Sequence, residues 1–100
     1  MLNTRRRVVI TGLGAVTPLG LSMPETWQSL LGGKSGIDLI TSFDTTPFAV
    51  KFAAEVKGFD VADYISRREA HRMDRFTQFA VVASMEAMTM SGLKIADGVA

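Results

Sequence analysis

Residues 8–20, Val-Val-Ile-Thr-Gly-Leu-Gly-Ala-Val-Thr-Pro-Leu-Gly, constrain this chain more than any other stretch. Val8, Val9 and Ile10 are consecutive β-branched residues with no polar side chain between them, a pattern that predicts a strand buried on both faces. Gly12 and Gly14 permit backbone angles that a side chain forbids, and Pro18 removes a donor. The chain must therefore leave the strand through a tight, irregular turn. The rest of the sequence reads as cover for that strand, which makes the expected fold class α/β.

With 100 residues, 47% apolar and 21% charged, the chain is one globular domain at most, with a modest core. No apolar run approaches the about 20 residues of a membrane helix, so a soluble protein with no membrane partner is expected. The absence of cysteine excludes disulfides, thiolate zinc sites and a cysteine nucleophile within these residues, and it is compatible with a reducing cytoplasm. A single histidine makes a metal cluster unexpected. The net charge of +1 gives no sign of nucleic-acid binding. Arg5, Arg6 and Arg7 precede an apolar stretch as in an export signal, but Gly12, Gly14 and Pro18 interrupt it. The plainer account is that they keep the start of a strand soluble.

Downstream, Ser22 and Glu25 have the spacing of a capping box, and Pro24 suits a first helical turn. Trp27, Leu30 and Leu31 then define one apolar helix face that ends at Gly32-Gly33. From Ser35 through Thr45-Thr46-Pro47 the pattern predicts a loop with one brief turn, long for a small domain. Residues 51–57 alternate, with Phe52, Ala54 and Val56 on one side and Lys51, Ala53, Glu55 and Lys57 on the other, as in a strand with one wet face. Gly58 ends it, and Asp60 can cap a single turn over 61–65. Ser66 and Glu69 repeat the capping box and open a helical region that runs, with a break near Met73-Asp74, to Gly92. From Phe79 to Met90 it is apolar nearly all round and is expected to be buried, with Ala80, Ala83 and Ala87 forming a strip for close backbone approach. Order signals are weak over 94–100. Two strands without a closing element leave an α/β fold unfinished.

Three features invite chemistry. Gly12-x-Gly14 after a strand suggests dinucleotide binding, but Thr17 and Pro18 occupy the place where a phosphate-binding helix would begin, and a plain sharp turn suffices. His71 sits among Arg68, Arg72 and Arg75 without a carboxylate to orient it, so no triad assembles. Arg68, Arg72 and Arg75 fall at i, i+4 and i+7, one positive helix face. It reads either as a solvated face with Glu69 and Arg72 paired, or as a dock for an acidic partner.

Taken together, Arg6 to Gly14 with Thr17-Pro18-Leu19-Gly20 resembles the opening of the β-ketoacyl-acyl-carrier-protein synthases, the condensing enzymes of fatty-acid synthesis. Thr26-Trp27, 33–37, Phe43-Asp44, Lys51-Phe52-Ala53, 65–69 and 72–76 are similar, in order, to its type II members. The resemblance runs from about Arg6 to Leu93. It implies that residues 1–100 are the N-terminal portion of the first domain of a longer chain, incomplete in themselves, within a thiolase-like five-layered αβαβα fold. The strand through Val8 to Thr11 would be central there, and the helix after Met73 buried.

The implied reaction is a decarboxylating Claisen condensation of a cysteine-bound acyl chain with malonyl-acyl carrier protein, using one cysteine, two histidines and an oxyanion hole of backbone donors. None of those catalytic residues lies in this sequence, and no cofactor or metal is implied. The family's docking surface for acyl carrier protein, acyl- or malonyl-loaded, includes basic residues in the segment matching Arg67, Arg68 and Arg72, which makes these three the candidate partner-binding residues. Such a rim would speed encounter with an acidic carrier more than it would raise final affinity. A cytoplasmic homodimer is implied as well. The alternative is a non-catalytic binding module, or an inactive condensing-enzyme subunit, that docks the same acidic carrier.

Overall fold

The computed structural model describes residues 5–95, which form in order α1 (Met23–Leu31), β1 (Ile37–Leu39), β2 (Phe52–Ala54), a 3-10 turn (Val61–Asp63), α2 (Arg67–Ala70) and α3 (Arg75–Ser91). α1 starts where its capping chemistry places it. Ser22 Oγ accepts from the Glu25 N–H at 3.3 Å, and Glu25 Oε2 accepts in return from the Leu21 N–H at 2.9 Å. The face that α1 buries differs from the one its spacing predicts. Trp27, Leu30 and Leu31 are exposed, and Thr26 is buried instead. Its hydroxyl donates to the Ser22 carbonyl at 2.8 Å and lies 2.9 Å from Thr17 Oγ1, because α1 packs on the Thr17–Gly20 turn.

Residues 6–16 form neither helix nor strand, and among the described residues no strand pairs with them, so Val8 is 91% and Ile10 81% exposed. The expected buried strand is thus not formed among the described residues. A strand is dry only when neighbours cover it, and residues 5–95 do not supply them. What the segment does contact is α3. A Cβ at Gly12 would overlap the Ala87 carbonyl oxygen, and one at Gly14 the Ala83 carbonyl oxygen. Both glycines serve close approach to the Ala83–Ala87 strip.

The side chain of Glu86 closes this seam. Its Oε1 accepts from the Ala15 N–H at 2.9 Å, and both carboxylate oxygens accept from the Met23 N–H at 3.0 Å. One carboxylate therefore joins the extended segment, the N-terminus of α1 and α3.

β1 and β2 pair antiparallel, with Ile37 opposite Ala54 and Leu39 opposite Phe52. β1 lies in the stretch that the sequence reading assigns to loop; three residues are too few to show a period. The strand expected over 51–57 contracts to its central residues. Ala53 is the half-covered member, while Phe52 and Ala54 are exposed, so the predicted dry face is the open one. The loop between the strands is tied at both ends. Glu55 accepts from the Thr41 N–H and hydroxyl and from the Ser42 N–H at 3.0–3.1 Å. Lys51 Nζ donates to the carbonyls of Thr45 and Phe48 at 2.8 and 2.7 Å. Hydrogen bonds from Ser42 and then Thr41 lower the Glu55 carboxyl from its ordinary 4.5 to about 2.

The helical region after Ser66 is broken at 71–74, and α3 ends at Gly92 in the left-handed conformation, φ 71°. The expectation that α3 is buried fails among residues 5–95. Val82 is its buried residue, and Phe76 is 72% exposed. A radius of gyration of 18.1 Å, against about 13 Å for a compact domain of 100 residues, agrees with apolar faces that these residues leave open. The weakly patterned stretch 94–100 falls mostly outside the described residues.

Candidate docking face

α2 is one turn long and carries the basic cluster. Ser66 caps it, its Oγ accepting from the Glu69 N–H at 3.2 Å, and the N–H of His71 donates to the Arg67 carbonyl at 3.1 Å at the other end. Ala70 is the side chain it buries. A single small buried residue leaves Arg67, Arg68, His71 and Arg72 all exposed. Among the described residues none of these three arginines makes an ion pair; the Glu69–Arg72 pairing that the sequence allows is not formed, and the ion pair present joins Lys57 and Asp38 at 3.7 Å.

The three arginines border two neighbouring depressions. Arg68 and Arg72 flank a shallow depression of about 280 Å³ with Ser66 and Glu69. Arg67 and His71 line another of about 320 Å³ with Asp60 and Gln78. Asp60 there is occupied as a cap, accepting from the Ala62 N–H at 3.0 Å.

Arg75 leaves the positive face that the i, i+4, i+7 spacing predicts, because the helix breaks before it. Its guanidinium lies 5.0 Å from the Phe59 ring centre and 5.1 Å from that of Phe79, and it donates to the Phe59 carbonyl at 3.5 Å. Phe59 is buried and in edge contact with Phe79, and it stacks on Tyr64.

His71 gains no carboxylate partner, and its side chain makes no hydrogen bond among the described residues. No group of metal-ligating residues assembles among the described residues, and no helix there is long and apolar enough to cross a membrane. The segment after Gly14 runs into the Thr17–Gly20 turn, with no helix beginning at the glycines, which removes the dinucleotide reading. Glu86 escaped the sequence reading as a structural residue. A lone acid in an apolar helix was the signal available.

A chain segment laid on an apolar helix, beside a short antiparallel hairpin, makes these residues part of a mixed α/β protein. The comparisons are specific. The model for the β-ketoacyl synthase N-terminal domain matches residues 5–98, and the chain belongs to that family. It is 48% identical over 99 residues to the 3-oxoacyl-(acyl-carrier-protein) synthase 2 of Staphylococcus aureus (strain N315), covering 99% of this chain and 24% of that protein. It is 45% identical over 92 residues to the corresponding synthase 2 of Vibrio cholerae serotype O1, covering 92% of this chain and 22% of that one. A solved structure titled the ishigamide ketosynthase/chain length factor superposes with a TM-score of 0.82 at 37% identity, over 91% of this chain and 23% of that one. The chain thus spans about a quarter of the length of the relatives it matches.

Proposed function

We propose that this chain is the N-terminal part of a 3-oxoacyl-acyl-carrier-protein synthase, a cytoplasmic homodimer, and that Arg67, Arg68 and Arg72 form part of its docking face for acyl- and malonyl-loaded carrier protein. In the reaction proposed, malonyl-carrier protein loses carbon dioxide, the carbanion so formed attacks the cysteine-bound acyl carbon, a carbon–carbon bond forms and the thiolate leaves. The groups that perform those steps lie outside this sequence, which has no cysteine. These residues contribute scaffold and recognition.

The observation that carries the docking reading is three exposed guanidiniums on a capped turn, none of them neutralised by a carboxylate among the described residues. Guanidiniums left free in this way attract an acidic protein over a screened distance of about 8–10 Å. Reversing Arg68 and Arg72 to glutamate in the full-length chain should raise KM for acyl-carrier substrate about tenfold or more at low salt, with the effect shrinking as salt rises. Unchanged kinetics at low salt would sink the reading.

A second reading is an inactive homologous subunit that docks the same carrier, which the cysteine-free residues 1–100 fit equally well. Acylation of a cysteine in the full-length chain by acyl-carrier protein separates the two, since an inactive subunit forms no thioester.

A further inference from the structure

We propose that Arg75 is a positioning residue for carrier docking: by laying its guanidinium against the paired rings of Phe59 and Phe79 it fixes the orientation of α2, so that its influence on docking comes through geometry and not through its charge. The proposal rests on the docking reading above.

A one-turn helix cannot hold itself, because nucleating a turn costs more than its few hydrogen bonds return. α2 buries only Ala70, so its orientation must come from outside. Two side chains at the start of α3 supply it. Gln78 Nε2 donates to the carbonyls of Ala70 and Met73 at 3.4 and 3.5 Å, holding the C-terminal end of the turn. Arg75 acts further up the chain, at Phe59. Its guanidinium sits over two rings at 5.0 and 5.1 Å and donates to the Phe59 carbonyl, which fastens the chain entering the 3-10 turn and α2 onto α3. Arg68 and Arg72, by contrast, have no such partner and remain open to an incoming anion. The planar guanidinium is what the two rings select. A lysine ammonium keeps the charge but neither stacks nor forks, so the conservative replacement is not conservative at this position.

The test is steady-state kinetics of the full-length chain with acyl-carrier substrate, comparing Arg75→Lys and Arg75→Gln, with Gln78→Ala as a variant that leaves every charge in place. All three should raise KM about three- to tenfold, the equivalent of one lost ring contact for the Arg75 variants and of one lost hydrogen bond for Gln78→Ala, with kcat within about twofold and the salt dependence of KM unchanged. Amide exchange at Ala70, His71, Arg72 and Met73 should quicken in each. Normal KM in Arg75→Lys with a raised KM in Arg75→Gln would overturn the proposal, because charge alone would then suffice. So would a fall in kcat with no change in KM, or unaltered exchange at residues 70–73. If Arg68→Glu and Arg72→Glu prove inert while Arg75→Lys still loosens residues 70–73, the docking reading is what has failed and the hold of Arg75 on α2 stands.

Discussion

The segment 8–15 and the β1–β2 hairpin both carry strand-like sequence, and they are held by different means. The hairpin pairs with itself, closes its own hydrogen bonds and fixes its connecting loop through Glu55 and Lys51. The segment 8–15 has the richer β-branched composition and, among the described residues, no ladder. It is fixed instead by lying against α3, at Gly12 and Gly14, and by the Glu86 carboxylate. Propensity thus makes chain extended, but a sheet needs a partner, and in the hairpin the partner is close in sequence.

That contrast can be broken from either side. The largest effect should come from Gly14→Val, whose side chain has no room beside the Ala83 carbonyl. We expect a loss of about 3 kcal/mol or more in denaturant unfolding of the full-length chain, with amide exchange in the hairpin unchanged. Glu86→Ala should follow at about 2–3 kcal/mol, since the Ala15 and Met23 amides lose a charged acceptor, and Glu86→Gln should recover part of it. Equal losses for Gln and Ala would show that the carboxylate does not bridge the seam.

On the hairpin side the effects are local. Glu55 is a carboxyl lowered from 4.5 to about 2, so its hold on Thr41 and Ser42 is complete above pH 4.5 and is lost as pH falls toward 2. The amide resonances of Thr41 and Ser42 should follow a transition near pH 2, and a midpoint at 4.5 would refute the contact. The smallest effect should come from Lys51→Met, which frees the Thr45 and Phe48 carbonyls to water. It should change global stability by no more than about 0.5 kcal/mol while quickening exchange at the Phe48 amide.

The local punctuation of the fold was legible in the sequence. Ser22, Asp60 and Ser66 cap where their spacing puts them, and Gly92 stops α3. Ala83 and Ala87 were readable as a strip for close approach, although the chain that approaches them had to be seen. What sequence could not carry was cover. Trp27, Leu30 and Leu31 are patterned for burial, and residues 5–95 leave them exposed. Of the basic cluster, the exposure of Arg67, Arg68 and Arg72 could be anticipated from charge. The withdrawal of Arg75 could not, because it depends on Phe59, a residue sixteen positions away that local periodicity does not register.

The most direct test of the account is hydrogen–deuterium exchange of the full-length chain with and without an acidic acyl carrier protein. Exchange at residues 66–73 should slow on addition of the carrier, an effect abolished by high salt, with the hairpin residues 37–54 unaffected. Protection centred on the hairpin, or none at 66–73 at low salt, would contradict the assignment of α2 as the docking face.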